Sequence, residues 1–145
     1  MPYSTTLELE TYASERGYTI VGDVSVLLVR ANDWIEAQSY KGYRTDDTQT
    51  TSFPRTGIVV DGIEVDSSTV PAQVKKAEMQ MAIELDKGND PYAATERTAI
   101  REKVGTLEVE YSDTPYAIQN TIIRSVKPLL KGFLKSSGGI TIVAG

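Results

Sequence analysis

The chain has 145 residues, carries a formal net charge of −5 and contains neither cysteine nor histidine. This length suits one domain with a hydrophobic core, and its longest apolar runs are too short for a membrane-spanning helix. The missing cysteine excludes disulfides and thiolate chemistry, and the missing histidine removes the commonest general base and metal ligand. We therefore expect no enzyme activity, no cofactor, no metal and no membrane partner. The N-terminus also lacks a signal-peptide pattern.

The charge is distributed unevenly along the chain. Residues 1–70 contain 11 acidic and 5 basic residues, whereas residues 71–145 contain 9 acidic and 10 basic residues. An acidic front half and a mildly basic back half argue against general binding of duplex DNA, which needs a basic face. They suit a self-assembling protein with complementary surfaces. A solvated surface with chance asymmetry is the alternative.

Two helices are predicted in the first 40 residues. The first, over residues 6–16, begins at a capping box formed by Ser4 or Thr5 with Glu8. The second follows Asp23 as its N-cap and ends near Tyr40. Its apolar residues fall within an arc of about 120°, which is typical of a helix with one buried stripe. The stripe includes Trp34, which we interpret as a core residue.

Residues 41–56 form a long polar connection, and a loop of this length is often functional or mobile. The adjacent pair Asp46 and Asp47 is weak evidence for a metal site, so a solvated loop is the preferred interpretation. Phe53 and Pro54 hold Arg55 in place at the end of the loop. We predict a bidentate contact between Arg55 and a carboxylate of its own or a neighbouring subunit, with the chain's own helix ends as alternative partners.

Asp61-Gly62 between two apolar runs predicts a β-hairpin over residues 58–65. A third helix starts at Pro71 and runs to about residue 87. This helix is apolar on two faces, which indicates a central helix of a bundle or a surface facing a second chain. One face carries Val74, Ala77, Met81 and Leu85, and the other carries Met79 and Ile83.

The remaining residues predict a strand, a helix and a tail. Alternation over residues 107–111 indicates a half-buried strand, and residues 114–134 form a last helix with a break near Pro128. A flexible hinge at 136–139 precedes an apolar tail that contains Ile140 and Ile142, suited to pairing with a sheet edge.

The predicted fold is mainly α, a bundle of about four helices with a small hairpin in residues 1–135, followed by a flexible tail, 136–145. The last helix carries a basic ridge opposite its apolar side, formed by Arg124, Lys127, Lys131 and Lys135.

The order of these signals resembles the head-to-tail adaptor (head completion or neck connector) proteins of tailed bacteriophages, a family sometimes labelled DnaT-like single-stranded-DNA-binding proteins. The resemblance covers about residues 5–135. The motifs that carry it are, in chain order, residues 34–40, Gln49, Phe53-Pro54-Arg55, Asp61-Gly62, Val70-Pro71, the Ala77/Met81/Ala82 helix, residues 102–105, residues 108–111 and Leu129-Leu130.

The resemblance implies a structural virion protein made in the bacterial host cytoplasm and located at the head–tail junction. It implies a homo-oligomeric ring, commonly of twelve subunits, that docks on the portal protein and extends the DNA channel. The ring would present a surface to the next neck or tail-completion protein, and DNA would pass through without specific binding. The partner-binding residues expected from the chain are Arg55, the basic ridge, Ile140 and Ile142. The apolar end, 140–145, departs from the basic or glycine-rich tails expected of such proteins.

Two other function classes are less compatible with the sequence. A single-stranded-DNA-binding module needs aromatic platforms in a basic groove. Here Tyr40 and Tyr43 lie in the acidic half, and Phe133 lies on the apolar side of the basic ridge, so we prefer the adaptor. A metal-dependent nuclease is the least favoured class. Its candidate carboxylates would be Asp46, Asp47, Asp61, Glu64 and Asp66.

Overall fold

The computed structural model describes residues 1–91 and 120–135. The described part is mainly helical, with two small antiparallel strand pairs, in agreement with the predicted class. The strand predicted at 107–111 and the tail at 136–145 lie outside the described residues. The elements in chain order are α1 (Thr6–Glu15), α2 (Val24–Glu36), β1 (Tyr43–Arg44), β2 (Arg55–Thr56), β3 (Val59–Val60), β4 (Ile63–Glu64), α3 (Ala72–Asp86), α4 (120–125) and α5 (Lys127–Leu130).

The starts of α1 and α2 confirm their predicted caps. Thr5 and Glu8 form the capping box of α1, and Asp23 accepts hydrogen bonds from the first turn of α2. The predicted end of α2 near Tyr40 is wrong, because the helix stops at Glu36. The Tyr40 hydroxyl donates to the Ile35 carbonyl at 2.6 Å. That bond caps a carbonyl of the last turn, which a continuing helix would instead pair with a main-chain amide.

Helix α3 is the central element of the core. It packs against α1, α2 and α5, and both of its predicted apolar faces are buried, which confirms the interpretation as a central bundle helix. Trp34 on α2 is 8% exposed and belongs to the same core, as predicted. Glu78, in the middle of α3, is fully buried, a feature that the apolar pattern did not indicate.

The loop predicted over 41–56 contains a strand pair that the sequence pattern did not indicate. Strands β1 and β2 pair antiparallel, with Tyr43 opposite Thr56. The pairing depends on Gly42, whose φ is +71° and where a Cβ atom would lie 2.2 Å from the Thr56 carbonyl oxygen. Only glycine fits such a position. The β3–β4 hairpin is confirmed, and Asp61 and Gly62 have φ values of 53° and 78°, as a two-residue turn of this kind requires.

The C-terminal helix is interrupted next to Pro128, as predicted. Residues 120–125 and 127–130 are helical, with a turn at Val126. The cause is Pro128, which has no N–H to donate to the carbonyl of Arg124 one turn back. The predicted helix end at residue 134 is wrong, because α5 ends at Leu130. Leu134 instead forms a β-bridge with Tyr40. Within residues 1–91 and 120–135, no helix has the length and apolar character needed to cross a membrane.

Candidate nucleic-acid interface

The segment 133–135 lies antiparallel to the segment that follows α2. The amide of Lys41 donates to the carbonyl of Phe133 at 2.8 Å, and the amide of Lys135 donates to the carbonyl of Ser39 at 3.0 Å. The β-bridge between Tyr40 and Leu134 completes the contact. This pairing brings Lys41 beside the C-terminal lysines, which are distant in sequence.

An aromatic cluster beneath this pairing holds it in place. Phe53 is 1% exposed and its peptide bond to Pro54 is cis. The rings of Tyr3, Tyr40 and Phe133 pack edge-on against Phe53, with centroids 6.3, 4.7 and 6.0 Å away. Burial raises the pKa of the Tyr40 hydroxyl, and the nearby Tyr3 and Glu36 raise it further. Tyr40 is therefore a neutral core residue whose ring is not available to stack on a ligand.

Arg55 orders the turn that carries Lys41. Its guanidinium donates to three main-chain carbonyls, those of Lys41 at 2.8 Å, Gly42 at 3.0 Å and Ser52 at 3.2 Å. Burial and the charge of Arg44 lower the pKa of Arg55. Within the described residues, Arg55 therefore contacts main-chain carbonyls and not the carboxylate that was predicted. The main chain around Arg55 directs its carbonyl oxygens toward the planar guanidinium, and no acidic side chain of the described residues does so.

A shallow groove of about 610 Å³ lies on the surface of α5 and the turn after it. Its floor is apolar and consists of Ile123, Pro128 and Leu134. Arg124, the remaining member of the predicted ridge, is exposed but does not line this groove, and Ile140 and Ile142 lie outside the described residues. The rim of the groove carries lysines from two distant segments of the chain: Lys41, Lys127, Lys131 and Lys135.

Lys41 is the functional candidate that sequence reasoning missed. The basic ridge was found from helical spacing, whereas Lys41 joins it only through the pairing of residues 39–41 with 133–135. The structure records no ion pair between the groove lysines and a carboxylate of residues 1–91 or 120–135. The groove therefore brings these lysines together with apolar side chains on one surface.

An exposed aromatic ring follows Lys41 closely in the chain. Tyr43 is 63% exposed, and two residues of extended chain keep its Cα within about 7 Å of that of Lys41. One edge of the ring rests against Gly57, where a Cβ atom would be 3.5 Å from Cε1 of Tyr43. Tyr43 thus offers an exposed aromatic ring close to Lys41 along the chain, in contrast to the buried ring of Tyr40, although it does not itself line the groove.

Two of the candidate metal ligands, Asp46 and Asp66, have local hydrogen-bond partners instead. The Asp46 carboxylate accepts from the amide and hydroxyl of Thr48 at 3.0 and 2.9 Å, and these bonds lower its pKa. The hydroxyl and amide of Ser68 likewise lower the pKa of Asp66. In the part of the chain that the structure describes, no three acidic residues are grouped so that they could hold a metal ion. These aspartates stabilise turns.

Comparison with known protein families assigns the chain to one of them. The model of the family described as "Putative DnaT-like ssDNA binding protein" matches residues 2–144. The chain belongs to this family. No curated protein and no solved structure matches it.

Membership of the DnaT-like family bears on the choice between the function classes. The family's description names single-stranded DNA as the ligand and names no virion, portal or tail role. It therefore favours the single-stranded-DNA-binding alternative over the head-to-tail adaptor that the order of motifs suggested. The basic groove is the surface of the described residues that combines clustered cations with an apolar floor.

Proposed function

We propose that this protein binds single-stranded DNA in the groove between α5 and the turn at Lys41, as a binding protein and not as an enzyme. The observation that carries the proposal is the convergence of lysines from two distant segments around an apolar floor. The description of the DnaT-like family supports the same ligand.

The groove has the two components that a single-stranded ligand needs. Lysine ammonium groups neutralise phosphates along the backbone, and each contact releases counterions. The apolar floor around Ile123, which is 52% exposed, can receive bases that no partner strand covers. Tyr43 adds a surface on which a base can stack, an interaction that tolerates any sequence because every base has a π-face.

The net acidic charge of the chain does not oppose this proposal. A formal charge of −5 disfavours extended contact with duplex DNA, because a duplex carries phosphates on two strands and needs a broad basic face. A flexible single strand can follow a short groove and avoid the acidic surfaces elsewhere.

The proposal is tested with a fluorescent oligothymidine titrated with full-length protein and read by anisotropy. Replacing both Lys127 and Lys131 with Ala should weaken binding roughly tenfold or more, because two phosphate contacts are lost. Tyr43→Ala should cost about 1–3 kcal/mol of binding free energy through loss of stacking.

The matched control is Lys76→Ala, which removes an exposed lysine of α3 outside the groove. It should bind as the wild type does. Equal affinity of the Lys127/Lys131 double variant and the Lys76→Ala variant would overturn the proposal, as would tighter binding of a duplex than of the single strand.

A structural adaptor of the virion neck remains a second candidate, favoured by apolar side chains on the outer face of α2. Val26 and Val29 are each 51% exposed, and Val21 before the helix is 87% exposed. Such residues suit a contact with another protein. In this proposal the chain forms a ring at the head–tail junction, docks on the portal and contacts the next neck or tail-completion protein.

The adaptor candidate is tested by sedimentation of the protein mixed with a portal protein. A stable complex that weakens when residues 136–145 are deleted would support the adaptor and its predicted tail contacts at Ile140 and Ile142. Co-sedimentation no greater than that of an unrelated protein of similar charge would rule it out.

A further inference from the structure

The β3–β4 hairpin contacts the protein through Val60, whereas the other three residues of its cross-strand pairs are exposed. Its cross-strand pairs are Val59 with Glu64 and Val60 with Ile63, and the two pairs lie on opposite faces of the ribbon. Val60 rests on Gly132, where a Cβ atom would lie 3.0 Å from its methyl groups. The face with Val59 and Glu64 is therefore directed away from the body of the protein.

The hairpin exposes apolar and acidic side chains together. Val59 is 55% exposed and Ile63 is 71% exposed, although both are large apolar residues in a ribbon of four paired residues. Asp61 in the turn and Glu64 on the outward face are also exposed. An exposed surface of this composition is unusual for a hairpin that contacts only water.

The basic groove has the opposite composition. Its rim carries lysines and its floor carries Ile123, Pro128 and Leu134, so an apolar centre is surrounded by positive charge. The exposed side of the hairpin offers a complement to it, because Val59 lies opposite Glu64 and Asp61 is in the adjacent turn. Complementary charge around an apolar contact is what gives an interface its register and its partner choice.

One chain cannot make this contact with itself. The hairpin is held beside the groove through the contact of Val60 with Gly132, which is the residue after Lys131 of the rim, and its outward face points away from that contact. When a second copy is related by a two-fold axis, the hairpin of each copy can contact the groove of the other, so both surfaces are covered at once. Each copy then supplies a hairpin and receives one.

We propose that two copies of this chain associate by placing the Val59/Glu64 face of each hairpin in the basic groove of the other. The association goes beyond DNA binding and does not depend on it. Because both ligands use the same lysines, single-stranded DNA and the second copy exclude each other. The acidic hairpin then acts as a cover that keeps the groove closed until a stronger polyanion displaces it.

The test uses two charge reversals in the full-length protein, Glu64→Lys and Lys131→Glu, with self-association measured by sedimentation velocity over a range of concentrations. Each variant alone places like charges in both contacts and should associate roughly tenfold or more weakly than the wild type. An equal mixture of the two variants places opposite charges in both contacts of the mixed pair. The mixture should therefore recover association close to that of the wild type.

The mixture also serves as the control for folding, since misfolded variants would not restore each other. Lys76→Glu makes the same change of charge on α3 and should associate as the wild type does. The proposal is overturned if the wild type stays monomeric at the highest soluble concentration. It is equally overturned if neither reversal weakens association, or if the mixture does not recover it.

Oligothymidine binding separates this inference from the proposed function. Glu64→Lys leaves the groove lysines in place and should bind oligothymidine at least as tightly as the wild type, whereas Lys131→Glu should bind it more weakly. Rescue in the mixture without any oligothymidine binding would support the association and refute DNA binding. Oligothymidine binding that leaves wild-type dimers intact would refute the shared use of the groove.

Discussion

Single polar side chains organise much of this molecule. The carboxylate of Glu78 is fully buried and accepts from the amides of Tyr3 at 3.0 Å and Ser4 at 2.8 Å, and from the side-chain amide of Asn32 at 2.9 Å. A buried carboxylate is tolerated where several donors replace its lost water. Glu78 thereby ties the N-terminus and α2 to the centre of α3.

Arg55 has a comparable role in the loop that follows α2. Its fork bonds carbonyls on both sides of the β1–β2 ribbon, and one of these belongs to Lys41 of the groove. Arg55 is thus a positioning residue for the candidate interface.

Arg55→Lys should destabilise the protein by about 1–2 kcal/mol, because an ammonium group keeps the charge but cannot reach three carbonyls in one plane. Urea denaturation followed by circular dichroism measures the change. Arg44→Lys is the control, because Arg44 is exposed and makes a single long hydrogen bond, 3.3 Å, to the carbonyl of Thr51. If both variants unfold at the wild-type urea concentration, the bonds of Arg55 contribute nothing to stability.

At the scale of elements, Asp86 anchors the connection between α1 and α2 to the end of α3. Its carboxylate accepts from the amides of Val21 and Gly22 at 2.9 and 2.8 Å, and from the hydroxyl of Tyr18 at 2.5 Å. Burial raises the pKa of Asp86, but these three bonds together outweigh it and the pKa is lowered. The hydrogen bond from the Tyr18 hydroxyl to Asp86, together with some burial, raises the pKa of Tyr18 to about 12.

At low pH, protonation of Asp86 should therefore weaken its bonds to the connection between α1 and α2. A carboxylate whose pKa is lower in the folded state contributes stability above its unfolded pKa, near 3.8, and loses it as the pH falls through the folded value. Asp86→Asn should be less stable than the wild type at pH 7, and the difference in unfolding free energy should shrink below about pH 4.

Urea denaturation of both proteins at several pH values measures this difference. Glu10→Gln, a change at an exposed position of α1, is the matched control and should follow the wild type throughout. A difference between Asp86→Asn and the wild type that stays constant with pH would mean that Asp86 does not titrate as described.

At the scale of the whole molecule, an acidic protein presents a local basic surface. The formal charge of the chain is −5, yet the rim of one groove gathers Lys41, Lys127, Lys131 and Lys135. Screening at physiological salt limits the effect of charges more than about 8 Å away. The local potential over the groove is therefore set by these lysines rather than by the net charge.

Salt dependence measures how many of these lysines meet phosphate. For a single strand the slope of log K against log salt is about −0.7 for each phosphate contact, so all of the rim lysines acting together predict a slope of roughly −3. Lys131→Ala should make the slope less steep by about 0.7, and Lys76→Ala should leave it unchanged. Anisotropy titrations at four salt concentrations provide the slopes. A wild-type slope near zero would show that binding, if present, does not involve these lysines.

The local features of this protein follow from its sequence alone. The capping box at Thr5, the N-cap at Asp23 and the hairpin turn at Asp61-Gly62 were all predicted and are all present, because each depends on residues a few positions apart. The buried stripe of α2 and the two buried faces of α3 were predicted for the same reason, since apolar spacing along one helix determines which side can leave water.

The tertiary structure decided the features that join distant parts of the chain. The end of α2, the β1–β2 ribbon and the carbonyl partners of Arg55 all depend on contacts that no local pattern encodes. The candidate interface is the clearest case, because helical spacing predicted Lys127, Lys131 and Lys135 but only the pairing with residues 39–41 adds Lys41. Helix caps and turns are satisfied by near neighbours, whereas a binding surface is formed by whichever residues the packing of the core brings side by side.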